Sequence, residues 1–229
     1  MGSMFYPTFI LYIYAFCGGS TGTLPTEESQ ILTVMFQKVN DIWNTFLVGI
    51  PIQNNPDNYT YGACTLQPNP SLNASEAKIT GLVMLKQTYP NGKLEAYFTI
   101  QGFPLNSNGS NRAIHIHSFG DVSNGCESTG PHYNPFSVNH PMHPGDFGNF
   151  EVQDGKIKKH LTNLEATFFG PYSVFGKAIV VHKMADDLGK GNNQASLETG
   201  NSGIRVACCV IGSSNKASWD KFTTFYENF

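Results

Sequence analysis

Lys78-Ile-Thr-Gly-Leu-Val-Met-Leu-Lys-Gln87, the turn Tyr89-Pro-Asn-Gly92 and Leu94-Glu-Ala-Tyr-Phe-Thr-Ile100 decide the fold. In the last of these, Leu94, Ala96, Phe98 and Ile100 alternate with Glu95, Tyr97 and Thr99. Successive side chains of a strand point to opposite faces, so this is a strand with one buried side. The first segment is mostly apolar, and Asn91-Gly92 suits the positive φ of a tight turn, so the three together predict a hairpin. Further strand patterns fall near Ala113–Ser118, Phe150–Val152, Ile157–Asn163, Ala178–His182 and Ile204–Ile211. The chain holds 23 Gly and 13 Pro, which supply the turns between them. Short strands separated by turns predict an all-β chain built as an antiparallel sandwich.

Onto that pattern the sequence threads six of its seven histidines: His115, His117, His132, His140, His143 and His182. His115 and His117 have period two, so on a strand both imidazoles face one side. His132, His140, His143 and the nearby Asp146 fall in a Gly- and Pro-rich stretch that reads as a long loop, and His182 closes the apolar run Val180-Val-His182. Neutral imidazole suits copper and zinc, and a carboxylate can complete a tetrahedral zinc site. His160, in Lys158-Lys-His160, reads as an ordinary surface residue.

Ala113-Ile-His-Ile-His-Ser-Phe-Gly-Asp121, Gly125-Cys-Glu-Ser-Thr-Gly-Pro-His-Tyr-Asn-Pro135 and His143-Pro-Gly-Asp-Phe-Gly-Asn149 closely resemble the copper/zinc superoxide dismutase family. Val180-Val-His-Lys-Met-Ala-Asp-Asp-Leu-Gly-Lys190 and Glu198-Thr-Gly-Asn-Ser-Gly-Ile-Arg-Val-Ala-Cys208 agree, so the resemblance runs from about Lys78 to Gly212. The Cys208-Cys209 doublet, the upstream Cys64 and the short spacing in the zinc loop resemble its secreted branch. The resemblance implies a Greek-key β-sandwich or barrel. It implies copper on His115, His117, His132 and His182, and zinc on His132, His140, His143 and Asp146, with His132 bridging the two. It also implies that Asp186 joins the outer ring nitrogens of His115 and His140 and that Arg205 guides the anion. Thr199 would narrow the channel, and His132 would relay a proton. The implied reaction converts two superoxide anions to O2 and H2O2. The channel segment Gln194-Ala-Ser-Leu-Glu198 is less charged than in the cytosolic branch, which leaves Arg205 and Lys190 to steer the substrate.

The chain has 229 residues and a net charge of -3, so bulk charge offers nothing to nucleic acid. Met4 to Cys17 is nearly all apolar, yet shorter than the about 20 residues a membrane span needs. With the small residues of Gly18–Gly22 it reads as a signal peptide over 1–22, leaving a secreted mature chain without a membrane span. Loss of the leader removes Cys17 and leaves Cys64, Cys126, Cys208 and Cys209. An even number in a secreted chain argues for two disulfides, with three pairings open. Cys208 and Cys209 are adjacent and should face opposite ways on a strand, hence take different partners. The resemblance selects Cys126–Cys208 and Cys64–Cys209. Sequons at Asn58, Asn73 and Asn108 are candidate glycosylation sites on an extracellular protein.

Leu32, Met35, Val39, Ile42 and Phe46 recur by three and four, which predicts an amphipathic helix over 26–49 ended by Gly49 and Pro51. Its apolar seam must be buried, either on its own domain or, as the resemblance to the secreted branch implies, between subunits of a homo-oligomer of two or four copies. Residues 50–75, rich in Pro, Asn, Gln and Thr, read as a linker, 76–212 as the dismutase-like domain and 213–229 as a tail. Trp219, Phe222, Phe225 and Tyr226 suit a short amphipathic helix there. The tail lacks the basic cluster with which the secreted branch often binds heparan sulfate, so that partner is not expected. Two rival readings have clear marks. A metal-binding module without turnover would lack a ligand or Arg205, and a copper chaperone would carry a separate Cys-rich domain; neither mark is present.

Overall fold

The computed structural model describes residues 26–48, 58–89 and 92–229. The leader read over 1–22, Cys17, the stop at Gly49 and Pro51, and the Pro90-Asn91 tip of the hairpin lie outside the described residues. The chain forms two units, Met1–Trp43 and Asn44–Phe229. Helix α1, Thr26–Val48, holds all the described residues of the first. Its Ile31, Leu32, Met35, Phe36, Val39 and Ile42 are all exposed.

The second unit is an antiparallel sheet. Its strands are β1 (Tyr59–Pro68), β2 (Thr80–Thr88), β3 (Leu94–Gln101), β4 (Asn111–His117), β5 (Ser123–Cys126) and β6 (Asp146–Glu151). Then follow β7 (Lys156–Leu164), β8 (Ala178–His182), β9 (Arg205–Val210) and β10 (Gly212–Ser214). The main order is β6-β4-β8-β9-β1-β2-β3-β7, with β10 on β1. Contacts between the end strands β6 and β7 nearly close the sheet into a barrel. β3 does not pair with β4, nor β7 with β8, so two connections cross between distant strands in Greek-key fashion. The expected sandwich or barrel is what forms.

The hairpin that opened the reading is β2–β3, in register from Thr80 opposite Gln101 to Gln87 opposite Leu94. Leu94, Ala96, Phe98 and Ile100 are fully buried, as their alternation requires. Thr99 is buried too, and its hydroxyl donates to Leu82 O at 3.3 Å. Phe98 sets its ring edge-on to Phe150, centroids 4.9 Å apart, in a core shared with Leu66, Val83, Ile114, Ile116, Ile179 and Val181.

The expectation of a linker over 50–75 gives way at its centre, because Tyr59–Pro68 is β1 and joins the sheet along most of its length. Cys64 and Leu66 point into the core while Thr65 and Gln67 do not, a true alternation hidden in a polar composition. The tail forms helix α3, Lys216–Tyr226, capped by Asn215, whose side chain accepts from Ser218 N. Its Trp219 and Phe222 pack on Tyr61 and Met84 with Tyr97 beside them, on the outer face of β1–β3. Asn58, Asn73 and Asn108 are all exposed.

Both disulfides of the expected pairing are present. Cys64–Cys209 has a Cα separation of 5.4 Å and Cys126–Cys208 one of 5.7 Å. Cys209 lies in the main core, whereas Cys208 joins Cys126, Ala178 and Val180 on the other side of the sheet. The two neighbours thus face opposite ways, as strand geometry demands.

Candidate metal centre

β4 carries Ile114 and Ile116 into the core and turns His115 and His117 the other way, where loops bury both imidazoles. The β4–β6 register shifts between Ala113 and His115, and the β8–β9 register shifts between Val181 and His182. Such irregularities re-aim a side chain, and here one sits at each of two site histidines. An isolated bridge between His117 and His132 brings the long loop down onto β4.

The hydrogen-bond partners fix which ring nitrogens are bare. His117 Nδ1 lies 2.8 Å from Gly130 O, and His182 Nδ1 lies 3.2 Å from Gly203 O. A carbonyl only accepts, so each Nδ1 carries the proton and each Nε2 is left as a lone pair. Those two Nε2 atoms are 3.3 Å apart. Two acceptors face to face with no proton between them call for a cation. Asp186 Oδ2 takes His115 Nε2–H at 2.8 Å and Oδ1 takes His140 Nε2–H at 2.7 Å, which turns Nδ1 of both rings away from Asp186. His115 Nδ1 and His132 Nε2 are buried without a hydrogen-bond partner, and His140 Nδ1 has only its charge contact with Asp146. Ligand atoms of His115, His117, His132 and His182 all lie within 4.8 Å of one another.

A second set gathers round Asp146. Its Oδ2 lies 2.9 Å from His140 Nδ1 and 3.0 Å from His143 Nδ1, and its Oδ1 lies 3.2 Å from His132 Nδ1. By proximity alone, His115 groups with His132, His140 and Asp146. Its Nε2 is committed to Asp186, which leaves Nδ1 as the nitrogen it can offer to either group. His143 donates from Nε2 to Val138 O at 3.1 Å, which leaves its Nδ1 as a lone pair facing the Asp146 carboxylate, two acceptors that a cation would join. His132 thus presents one nitrogen to each set.

Burial disfavours charge and pushes His132 down to about 4 and His182 down to about 3, with His117 also held well below its ordinary value. These rings are neutral near pH 7, the form in which imidazole binds metal. Burial works against ionised Asp146 and Asp186 as well, yet their histidine partners outweigh it and hold both well below the usual carboxylate range.

Arg205 opens β9 and is the strand partner of His182. Its Nη1 donates to Cys126 O at 2.9 Å, Thr129 Oγ1 at 2.9 Å and Glu127 O at 3.3 Å, and its Nε is 3.9 Å from Glu127 Oε2. Thr199 ends the short helix α2, Gln194–Thr199, and its hydroxyl donates to Ala195 O at 2.9 Å. Among the described residues no hydrogen bond joins Thr199 to the histidine sets. Lys190 is exposed. His160 stays apart from both sets, stacked on Tyr97 at 3.8 Å.

Nothing local in the chain pointed to the carbonyls of Gly130 and Gly203, which decide two tautomers. The sequence was equally silent on Asn149, whose amide clamps the main chain of Asp186 in both directions at 2.8 Å. Asn149 stands in a motif quoted above, which was the one clue available.

Residues 79–211 match the family model described as copper/zinc superoxide dismutase. The chain is 44% identical over 207 residues to the extracellular Cu-Zn superoxide dismutase of Homo sapiens, covering 90% of this chain and 85% of that one. To its namesake in Rattus norvegicus it is 54% identical over 163 residues, covering 71% and 67%. The Cu-Zn superoxide dismutase of Candida glabrata is 43% identical over 146 residues, covering 61% of this chain and 93% of that one. With this match laid over the histidine geometry, the chain belongs to the copper/zinc superoxide dismutase family.

Proposed function

We propose that this chain is a secreted superoxide dismutase, with copper held by His115, His117, His132 and His182 and zinc by His132, His140, His143 and Asp146. The observation that carries the reading is His132, which offers Nδ1 toward Asp146 and an unpartnered, buried Nε2 toward the other set. Copper, when bound, supplies the one-electron exchange that oxidises one superoxide to O2 and reduces a second, with two protons, to H2O2, while zinc stays redox-inert. The protein's own part is orientation and electrostatics. Asp186, Gly130 O and Gly203 O lock the ring orientations, the kind of outer support on which metal affinity depends. Arg205 draws the anion toward the His182 end of the site, and His132 relays a proton. Thr199, at the end of α2, narrows the approach.

Secretion is supported by the extracellular address in the names of the human and rat relatives, by two disulfides, and by exposed sequons at Asn58, Asn73 and Asn108. Those three asparagines are the proposed glycan sites. Residues 1–22 are the leader, α1 joins copies into a homo-oligomer, and the catalytic domain begins at β1 rather than at 76. Among the described residues no helix is long and apolar enough to cross a membrane. Heparan sulfate is left out of the proposed partners, since within the tail Lys216 is paired with Asp220 at 2.7 Å and its two lysines are matched by one Asp and one Glu.

The test is metal content measured beside superoxide consumption on the secreted, copper- and zinc-loaded protein, with His117→Ala as control. One copper and one zinc per chain with rapid turnover, lost in the variant, is the expected result. Full metal occupancy without turnover overturns the enzyme reading and leaves a metal-binding module.

A further inference from the structure

Arg205 is held by a residue outside every motif described so far. Asn69 follows β1 and is 1% exposed. Its Nδ2 donates to Arg205 O at 2.8 Å, and its Oδ1 accepts from Cys126 N at 3.2 Å and Ser71 N at 3.1 Å. The amide has one possible orientation, since a carbonyl cannot donate and a backbone N–H cannot accept. Its own N–H donates to Val206 O at 2.9 Å, so Asn69 is stitched to the first two residues of β9. Gly125, at φ +62°, makes room: a Cβ there would strike Asn69 Oδ1.

The guanidinium of Arg205 reaches the same turn from the other side, through Cys126 O, Glu127 O and Thr129 Oγ1. Thr129 Oγ1 in turn donates to Cys126 O at 2.8 Å. Both ends of Arg205 are therefore referenced to one short segment, the main chain through Asn69 and the head directly. We propose that Asn69 is a positioning residue for Arg205, fixing where the guiding charge stands relative to the copper-side histidines. This rests on the reading of Arg205 as the guide for superoxide. Without the amide, the part-buried Arg205 carbonyl and the buried Cys126 N–H lose these bonds. The start of β9 can then shift against the turn that holds the guanidinium, and a displacement of about 1 Å in a positioned group is enough to lower a rate severalfold or more.

The test compares the copper- and zinc-loaded full chain with Asn69→Ala, Arg205→Ala and the double variant. Two quantities are read: kcat/KM for superoxide, and the affinity of inorganic azide, a small-anion probe followed by the copper absorption band. Asn69→Ala is expected to lower kcat/KM about tenfold and weaken azide alongside, with metal content unchanged. In the Arg205→Ala background it is expected to add nothing, because residues acting as one unit are not additive. Unchanged kcat/KM in Asn69→Ala, or an equal loss in both backgrounds, overturns the proposal. If Arg205→Ala alone changes neither quantity, the guiding role of Arg205 fails first and takes the proposal with it. Should Asn69→Ala not fold, Asn69→Ser is read by the same criteria.

Discussion

His182 and Arg205 are antiparallel partners across β8 and β9, one step beyond a register shift at Val181. The proposed copper ligand and the proposed guide for the anion thus share a rung of the sheet, and neither depends on a free loop for its place. Arg205 anchors its planar guanidinium through Nη1, which donates to both Cys126 O and Thr129 Oγ1, and a compact lysine ammonium held by the same two acceptors would leave the charge in another place. Arg205→Lys should keep the charge but misplace it, lowering kcat/KM by about two- to fivefold. Arg205→Glu should lower it by about 10- to 1000-fold, since the field at the mouth reverses sign. Stopped-flow superoxide decay at several salt concentrations checks both. A wild-type rate in Arg205→Glu would remove the guiding role.

Asp186 accepts from His115 on one side and His140 on the other, and so couples the two sets. An asparagine can accept only one of these bonds and would present a donor to the other ring. Asp186→Asn should therefore weaken metal retention by about 10- to 100-fold. Release of copper and zinc to a chelator would be timed for each metal. Wild-type retention of both metals would count against the coupling.

Proton release on zinc uptake follows from His140. In the metal-free protein burial opposes its charge, but Asp146 and Asp186 outweigh burial and raise it to about 9. Its Nδ1 then carries a proton toward Asp146, which zinc must replace. His132, lowered to about 4, carries no extra proton to lose. Zinc binding at pH 7 should release about one proton, fading as pH rises through about 9. The same group stabilises the metal-free fold fully below its unfolded value of about 6.5, and that contribution is lost as pH rises through about 9. Asp146 has the opposite sign: its depressed value stabilises above an unfolded value of about 3.9 and is lost on acidification. Calorimetry in buffers of different ionisation heat counts the protons, and a count of zero at pH 7 would contradict the His140 assignment.

The histidine frame was legible because each piece of it is local. Period two put His115 and His117 on one face, and the Gly/Pro spacing marked the loop that carries His140 and His143. β1 was not legible, since Asn, Gln, Thr and Pro around it mask an alternation carried by only Cys64 and Leu66. β6 was read as little more than Phe150–Val152 because Asp146, at its start, looked like part of a ligand loop. Asn69 could not be found from neighbours in the chain. Its partners Cys126 and Arg205 lie 57 and 136 residues away, and it meets both through backbone atoms, whatever side chains they carry.

The two disulfides should separate stability from rate. Cys64–Cys209 closes a span of 145 residues inside the main core. Cys126–Cys208 closes 82 residues and anchors the turn that receives Arg205. Replacing either pair by alanines should cost about 2–5 kcal/mol. Only the loss of Cys126–Cys208 should also lower kcat/KM per bound copper. Denaturant midpoints and rates on both variants decide it, and an equal rate loss in the two would deny the turn its special place.

Helix α1 leaves Ile31, Leu32, Met35, Phe36, Val39 and Ile42 exposed, a seam that repeats by three and four residues. Fully burying one such side chain is worth about 1.5–3 kcal/mol, so the set together is enough to drive self-association of a helix this long. The proposed occupant of the seam is α1 of another copy. Met35→Asp with Val39→Asp would place two charges in the middle of that contact, where desolvation is costly. The expected outcome is a fall in mass by light scattering to that of a smaller species, with kcat/KM per copper unchanged. An unaltered mass would mean that copies associate through another surface or not at all, and α1 would then need a different partner for its apolar face.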